Sequence, residues 1–168
     1  MRKLVIIPLV LLFLISTGCS SSPAEKPTLQ DGFTATVNIN FDENEYTAIL
    51  TRTGQGVWKA EFTEPKTVSG MSMNYENGEV SVKYKGFSVS LPNTSIPIKA
   101  VVASVFEALD NIANDPNSVA KKVEAGNIVV EGKVDDNSYI ITFDKNGALL
   151  SVNIPSQKLS VTVKADEN

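Results

Sequence analysis

The sequence predicts a mainly β domain of the α+β class, formed by residues 32–165 as a single curved antiparallel sheet. We expect about ten strands arranged as a half-barrel, with one amphipathic helix covering the concave face of the sheet. Three observations predict this fold: apolar and polar residues alternate over many short segments, tight-turn sequences separate these segments, and only one segment has helical spacing. Many short strands joined by tight turns need one large sheet that curves or folds over to bury its apolar side.

The first half of the domain contains six predicted strands. In segment 33–41 an apolar residue occupies every second position and Thr or Asn the positions between, which is the pattern of a half-buried strand. Asn77-Gly78 is the strongest turn signal, because both residues tolerate the positive φ angles of a type I′ hairpin. The other strands predicted in this half are 46–52, 57–62, 71–76, 79–85 and 87–91.

The second half repeats the pattern of short strands and polar turns. Segment 119–125 is a weaker strand candidate, which we expect to pair with the strand that follows it. The remaining strands predicted in this half are 128–134, 138–143, 148–154 and 159–164.

Segment 96–114 is the one stretch with helical spacing. Its apolar residues recur at intervals of three and four positions, as in an amphipathic helix. Ser95 is placed to cap the N-terminus, Pro97 falls in the first turn, and Asp115-Pro116 ends the helix. At about 1.5 Å per residue such a helix is roughly 28 Å long, which matches the width of several strands.

The N-terminus carries the pattern of an export signal. Arg2 and Lys3 precede an apolar run at 4–15, and Ser16-Thr17-Gly18 then leads to Cys19, the only cysteine. This arrangement resembles the bacterial lipobox, which implies that residues 1–18 are a lipoprotein signal peptide, removed before Cys19 is lipidated. The protein is then exported and lipid-anchored at the extracytoplasmic face of a bacterial membrane.

Two other interpretations of this N-terminus stay open. The first is an uncleaved membrane anchor, although the twelve residues at 4–15 fall short of the ~20 needed to span a bilayer. The second is an ordinary secreted protein with an unpaired cysteine.

Residues 19–31 are predicted to be a lipidated cysteine followed by a flexible tether rich in Ser and Pro. Such a tether reaches at most ~40 Å, so the domain stays close to the membrane. Loss of Arg2 and Lys3 reduces the 15 basic residues to 13 against 19 acidic ones, a net charge of −6. This sign argues against nucleic acid as a partner and against electrostatic attraction to anionic lipid, which leaves acyl chains to hold the protein.

The residue types present restrict the chemistry that the chain can perform. The chain has no histidine, which excludes Ser-His-Asp and Cys-His centres and histidine-ligated zinc. Acidic turns at 42–45 and 135–136 could offer oxygen ligands to calcium, but they lack the spacing of a calcium loop. Carboxylates from distant strands could form a glycosidase pair, yet no group of exposed aromatic residues accompanies them. We therefore predict no enzyme activity, no metal and no cofactor.

The order of the predicted elements and one segment carry a resemblance to a known family. The segment runs from Trp58 through Phe62 and Pro65 to Gly70-Met71, so that a strand ends in a phenylalanine and a proline precedes the next strand. Over residues 33–164 the chain resembles the lipoprotein-carrier half-barrels, which include LolA, LolB and related lipid-binding lipoproteins of bacterial envelopes. The resemblance implies that the inner face binds acyl chains and that a lipid or another lipoprotein is a partner. It assigns no functional residue.

Candidate ligand contacts are the apolar and aromatic side chains expected between the helix and the sheet. The helix would supply a movable wall, and the strands would supply large side chains that line a pocket. For the same side chains, ordinary core packing is the alternative interpretation. The candidates are Val101, Val102, Val105, Phe106 and Leu109 on the helix, with Trp58, Tyr75 and Tyr84 on the strands.

The leading hypothesis is a non-enzymatic, membrane-tethered module that holds a lipid or acyl chain between sheet and helix. In this hypothesis the helix moves and the ligand replaces the contacts that the helix gives up. The alternative is a packed structural or protein-interaction lipoprotein with no small-molecule ligand. The cavity beneath the helix distinguishes them, because a carrier needs a few hundred Å³ of apolar space, at least transiently, and a packed module has almost none.

Overall fold

The structure is a computed structural model that describes Leu29 and residues 31–90, 97–114, 120–134 and 136–165. The predicted signal peptide 1–18, Cys19 and most of the tether 19–31 lie outside the described residues. Every buried apolar side chain that the structure describes lies between Leu29 and Val161, and nearly all of them form one cluster. One core therefore supports the whole described domain.

The described residues form a mainly β fold, with one curved antiparallel sheet, a single α-helix and a short 3₁₀ turn at Pro155–Gln157. The strands and the helix are β1 (Thr34–Phe41), β2 (Asn44–Gly54), β3 (Val57–Glu64), β4 (Ser72–Glu76), β5 (Glu79–Tyr84), β6 (Phe87–Ser90), α1 (Pro97–Asn114), β7 (Ala120–Glu124), β8 (Asn127–Val134), β9 (Asn137–Phe143), β10 (Leu149–Ile154) and β11 (Leu159–Val163).

Two meanders build this sheet. Strands β1 to β6 run from the centre to one edge, and β7 to β11 run from the other edge back to the centre. The two halves join where β1 pairs with β11, with Val37 opposite Val163. Helix α1 connects the two edge strands in the sequence, and the sheet stays open because β6 and β7 do not pair with each other.

The sheet has eleven strands instead of the predicted ten or so. The weaker candidate at 119–125 forms a full edge strand, β7, whose five residues all pair with β8. Its local sequence indicates a strand only weakly, and the hydrogen bonds to β8 stabilise the strand. That α1 covers the concave face of the sheet stays a prediction.

The helix and the strongest hairpin signal are confirmed. Helix α1 begins and ends within one residue of the predicted segment, and Phe106, Leu109 and Ile112 on it are at most 1% exposed. Asn77 and Gly78 have φ angles of 48° and 90°, as a type I′ turn requires. Within the described part of the chain, no helix combines the length and apolar character needed to cross a bilayer.

Candidate functional site

An apolar hollow lies between α1 and the central strands. Its volume is about 40 Å³, little more than the space of one water molecule. An acyl chain needs several times this volume, so the hollow is too small to hold one in the conformation described. All of its lining side chains are apolar: Val37, Ile39, Leu50, Ala60, Phe62, Val102, Val105, Phe106, Leu159 and Val161.

Three of the predicted aromatic and helical candidates meet beside this hollow. The Phe106 ring stacks on Trp58 with centroids 5.8 Å apart and an interplanar angle of 20°. The Tyr75 ring also contacts Phe106, and the centroids of these two rings are 5.7 Å apart. Trp58 and Phe106 are each 1% exposed, so the cluster belongs to the core as well as to the wall of the hollow.

The other candidates are placed differently by the structure. Val102 and Val105 line the hollow, and Leu109 is fully buried one turn further along α1. The side chain of Val101 lies outside the described residues. Tyr84 lies apart from the aromatic cluster, at the end of β5, where its hydroxyl donates to the Thr67 carbonyl oxygen at 3.2 Å.

A partly buried polar cluster holds the last turns of α1 to the sheet, and sequence reasoning missed it. Oδ1 of Asp110 accepts hydrogen bonds from the Gly56 backbone N–H at 3.0 Å, from Trp58 Nε1 at 3.2 Å and from Arg52 Nη2 at 3.3 Å. Oδ2 of Asp110 accepts from Asn114 Nδ2 at 2.8 Å, and Asn114 Oδ1 accepts from Arg52 Nη2 at 3.3 Å. The helix is therefore fixed to β2 and to the β2–β3 turn by charge-assisted hydrogen bonds.

Arg52 is the centre of this cluster. Its side chain is 5% exposed, its guanidinium lies 5.8 Å from the Trp58 ring centroid, and it forms a second ion pair with Asp31. A signal for it exists in the sequence, because Arg52 follows Ala48 and Leu50 at the inward positions of β2. A cation at such a position predicts a buried partner, but Asp110 is 58 residues away and only the fold identifies it.

Burial and nearby negative charge raise the pKa of the Tyr75 hydroxyl above its usual value of 10.0. Desolvation is the main cause, followed by the charges of Glu107 and Asp110. The neutral form of Tyr75 is therefore favoured by folding. Its contribution to stability is fully present below the pKa of the unfolded chain and is lost as the pH rises through the higher pKa of the folded state.

We therefore expect the free energy of unfolding to fall above about pH 10 and to fall less steeply in Tyr75→Phe. Urea unfolding of both proteins between neutral pH and about pH 11 measures this difference. Burial also raises the pKa of Tyr139, but that residue is present in both proteins, so the comparison isolates Tyr75. Parallel pH curves for the two proteins would contradict the assignment.

Of the two predicted acidic turns, 42–45 has a structural role, while Asp135 of the other lies outside the described residues; a further acidic residue, Asp144, also has a structural role. Asp42 forms an ion pair with Lys158 at 2.7 Å, and Asp144 Oδ1 accepts hydrogen bonds from the backbone N–H groups of Asn146 and Ala148 at 2.8 Å each. In the part of the chain that the structure describes, no three residues among His, Cys, Asp and Glu come together as metal ligands.

No protein-family model and no curated protein matches this sequence, whereas several solved structures are similar to its structure. A chain in the structure of the CwlD amidase from Clostridioides difficile in complex with the GerS lipoprotein has a TM-score of 0.50 and 19% identity, over 82% of this chain and 85% of that one. An uncharacterized conserved protein from Thermus thermophilus has a TM-score of 0.45 and 12% identity, over 80% of this chain and 77% of that one. A LolA superfamily protein from Nitrosomonas europaea has a TM-score of 0.34 and 11% identity, over 86% of this chain and 69% of that one. At these identities the likeness concerns the fold alone.

Proposed function

We propose that this protein is a non-enzymatic lipoprotein of the bacterial envelope, held to the membrane by lipid on Cys19, whose domain binds an apolar ligand between sheet and helix. The observation that supports the ligand site is the hollow under α1, because all ten residues that line it are apolar. A lipid acyl chain is the ligand that matches such a lining, since each methylene it buries contributes ~0.8 kcal/mol.

Ligand entry requires α1 to move, because the hollow described has a volume of only about 40 Å³. The two parts of the helix are held by different interactions. Asp110 and Asn114 bind its last turns to Arg52 and Trp58 through hydrogen bonds, whereas Val102 and Val105 rest over the hollow. The ligand would replace apolar contacts of the earlier turns, while the polar cluster keeps the end of the helix in place.

Native mass spectrometry of the mature protein, purified gently from its own cell envelope, tests this proposal. We expect a bound lipid at defined stoichiometry, which extraction then identifies. An unliganded mass, together with no rise in melting temperature across a panel of lipids, would contradict it. The protein would then be the packed structural or interaction lipoprotein, and a fold like this one does occur in a structure of an amidase bound to a lipoprotein.

The variant Val105→Trp should prevent ligand uptake while the protein stays folded. An indole at this position fills the hollow and overpacks it, which costs about 1–3 kcal/mol. Glu107→Trp is the matched control, because it adds the same ring at an exposed position of α1. Lipid retained by Val105→Trp would place the ligand elsewhere, and a much larger loss of stability would indicate a tight core with no space to open.

The variant Cys19→Ala should release the protein from membranes, because it removes the atom to which lipid is attached. Fractionation of cells into membrane and soluble material measures the effect, with Ser21→Ala as the control. Membrane association that survives the loss of Cys19 would contradict the lipoprotein part of the proposal.

A further inference from the structure

A second cavity, which shares only Ile39 of its lining with the hollow, lies mainly beside the opposite face of the sheet. It is a cleft of about 510 Å³, within the size range of small-molecule sites. Asn38 and Asn40, which line it, alternate along β1 with the inward-facing Val37 and Ile39 and therefore point away from α1. The loop that follows β3 forms one wall through Pro65.

The floor of the cleft is held in place by hydrogen bonds. Thr47 is only 8% exposed, and its hydroxyl contacts both Asn38 Oδ1 at 3.4 Å and Glu64 Oε2 at 3.1 Å. These three residues form one row, because Thr47 pairs with Asn38 on β1 and with Glu64 on β3. The Thr47 backbone oxygen also accepts from Thr63 Oγ1 at 3.2 Å. The polar groups of the floor are thus positioned before any ligand arrives.

Four charged residues of both signs line the cleft: Glu45, Glu64, Lys66 and Lys164. Glu45, Lys66 and Lys164 form no ion pair with any other residue that the structure describes. The backbone at Lys164 is nevertheless fixed, since its N–H donates to the Thr36 carbonyl at 2.8 Å. These three charges are therefore available to a ligand, and the backbone that carries Lys164 is held in place.

Two of these charges, those of Lys164 and Glu45, lie toward opposite ends of the cleft. Lys164 sits beside Thr36 of β1, and Glu45 pairs with Asn40 of the same strand. Thr36 and Asn40 are four residues apart, which is ~13 Å along a strand. Three amino-acid residues in extended form span ~10 Å, so a tripeptide fits between a carboxylate and an ammonium that both reach inward.

We propose that this cleft binds a short linear peptide with free ends. The peptide ammonium pairs with Glu45, its carboxylate pairs with Lys164, and its backbone amides face the side-chain amides of Asn38 and Asn40. A neutral saccharide fits the cleft less well, because it would leave these charges unpaired. The aromatic residue in the lining, Tyr46, packs edge-on against Phe62, with 5.9 Å between the centroids of the two rings.

Nuclear magnetic resonance titration tests this site with trialanine as the probe. The protein is the chain from residue 19 with Cys19→Ser, which retains every described core residue. We expect saturable shifts in the backbone amide signals of Asn38, Asn40, Thr47 and Glu64. Trialanine with both ends capped should bind about 25-fold more weakly, the product of two fivefold losses, and free alanine should also bind more weakly, because neither can pair with both charges at once.

Variants of the two end charges make the test specific. Glu45→Gln and Lys164→Gln should each weaken trialanine binding roughly fivefold, while Glu45→Gln should not change the affinity for N-acetylated trialanine, which has no ammonium. Glu61→Gln and Lys59→Gln are matched controls, because these residues pair with each other at 2.8 Å on β3 outside the cleft.

Three results would overturn the proposal. The first is the absence of saturable shifts with trialanine. The second is equal binding of free and fully capped trialanine, which would show that the end charges are not recognised. The third is binding of a neutral disaccharide such as trehalose at the same amides without binding of trialanine. None of these results bears on the hollow under α1, so the two proposals fail or succeed separately.

Discussion

Asp110→Ala is expected to lower the free energy of unfolding by about 3–5 kcal/mol. The substitution leaves Arg52, whose side chain is 5% exposed, with only the 68% exposed carboxylate of Asp31 as an ion partner. It also removes the acceptor of the Gly56 N–H and the Trp58 Nε1–H, and a buried donor without a partner costs about 1–3 kcal/mol. Urea unfolding at neutral pH measures the change.

A double-mutant cycle separates the ion pair from the packing around it. Arg52→Met alone should also destabilise, because it leaves Asp110 as the unpaired charge. The double variant should lose less stability than the two single variants together, since neither charge then remains buried alone. Asn111→Ala, at the next and exposed position of α1, is the control and should change stability by less than about 0.5 kcal/mol. Additive losses in the cycle would show that the two residues are not coupled.

Phe106→Ala, a separate variant, is expected to lower the free energy of unfolding by about 3–5 kcal/mol. The ring is 1% exposed and contacts both Trp58 and Tyr75, so its removal leaves a cavity lined by aromatic side chains. Thermal and urea unfolding measure the loss, and Glu107→Ala, one position along the helix at an exposed site, is the control.

The same variant also bears on the proposed function. If the cavity left by the ring does not collapse, it should admit a small apolar probe such as benzene, because dry apolar cavities of this kind bind such molecules. A loss of less than about 1.5 kcal/mol with no probe binding would mean that α1 collapses onto the sheet. The helix would then be more mobile over the hollow than the described conformation indicates.

These two variants test the two ways in which α1 is attached. Asp110 anchors the end of the helix through directional hydrogen bonds, and Phe106 anchors its middle through ring contacts. Val102 and Val105, earlier in the helix, rest over the apolar hollow. If both anchors are as strong as expected, an opening motion would involve the earlier turns, as the proposed ligand entry requires.

Much of the fold could be predicted because its signals are local. Strand β1 follows from period-two alternation, the β4–β5 hairpin from Asn77-Gly78, and α1 from apolar spacing of three and four. Each signal concerns neighbours in the chain, whose backbone geometry their own side chains largely decide. The count of strands was less reliable, since edge strand β7 depends on its partner β8 for hydrogen bonds.

The candidate site could be predicted only in part. Phe106, Trp58 and Tyr75 are large apolar residues on inward faces, so their meeting follows from the fold class. Tyr84 satisfies the same sequence criterion but hydrogen-bonds to Thr67 at the end of its strand instead. Whether an inward-facing residue joins a particular cluster depends on where its strand ends and on which residues pack over it. The periodicity of the sequence carries neither piece of information.

By itself, the sequence determined the local elements and the absence of histidine chemistry, because each depends on residue type and short spacing alone, and it predicts an N-terminal export signal on the same basis. Only the tertiary structure decided the pairing of β1 with β11, the meeting of Arg52 with Asp110, and the polar cleft beside Thr47. All three join residues distant in the chain. These contacts form only when the curved sheet brings the distant residues together. Many sequences with the same periodicity would bring different residues into contact.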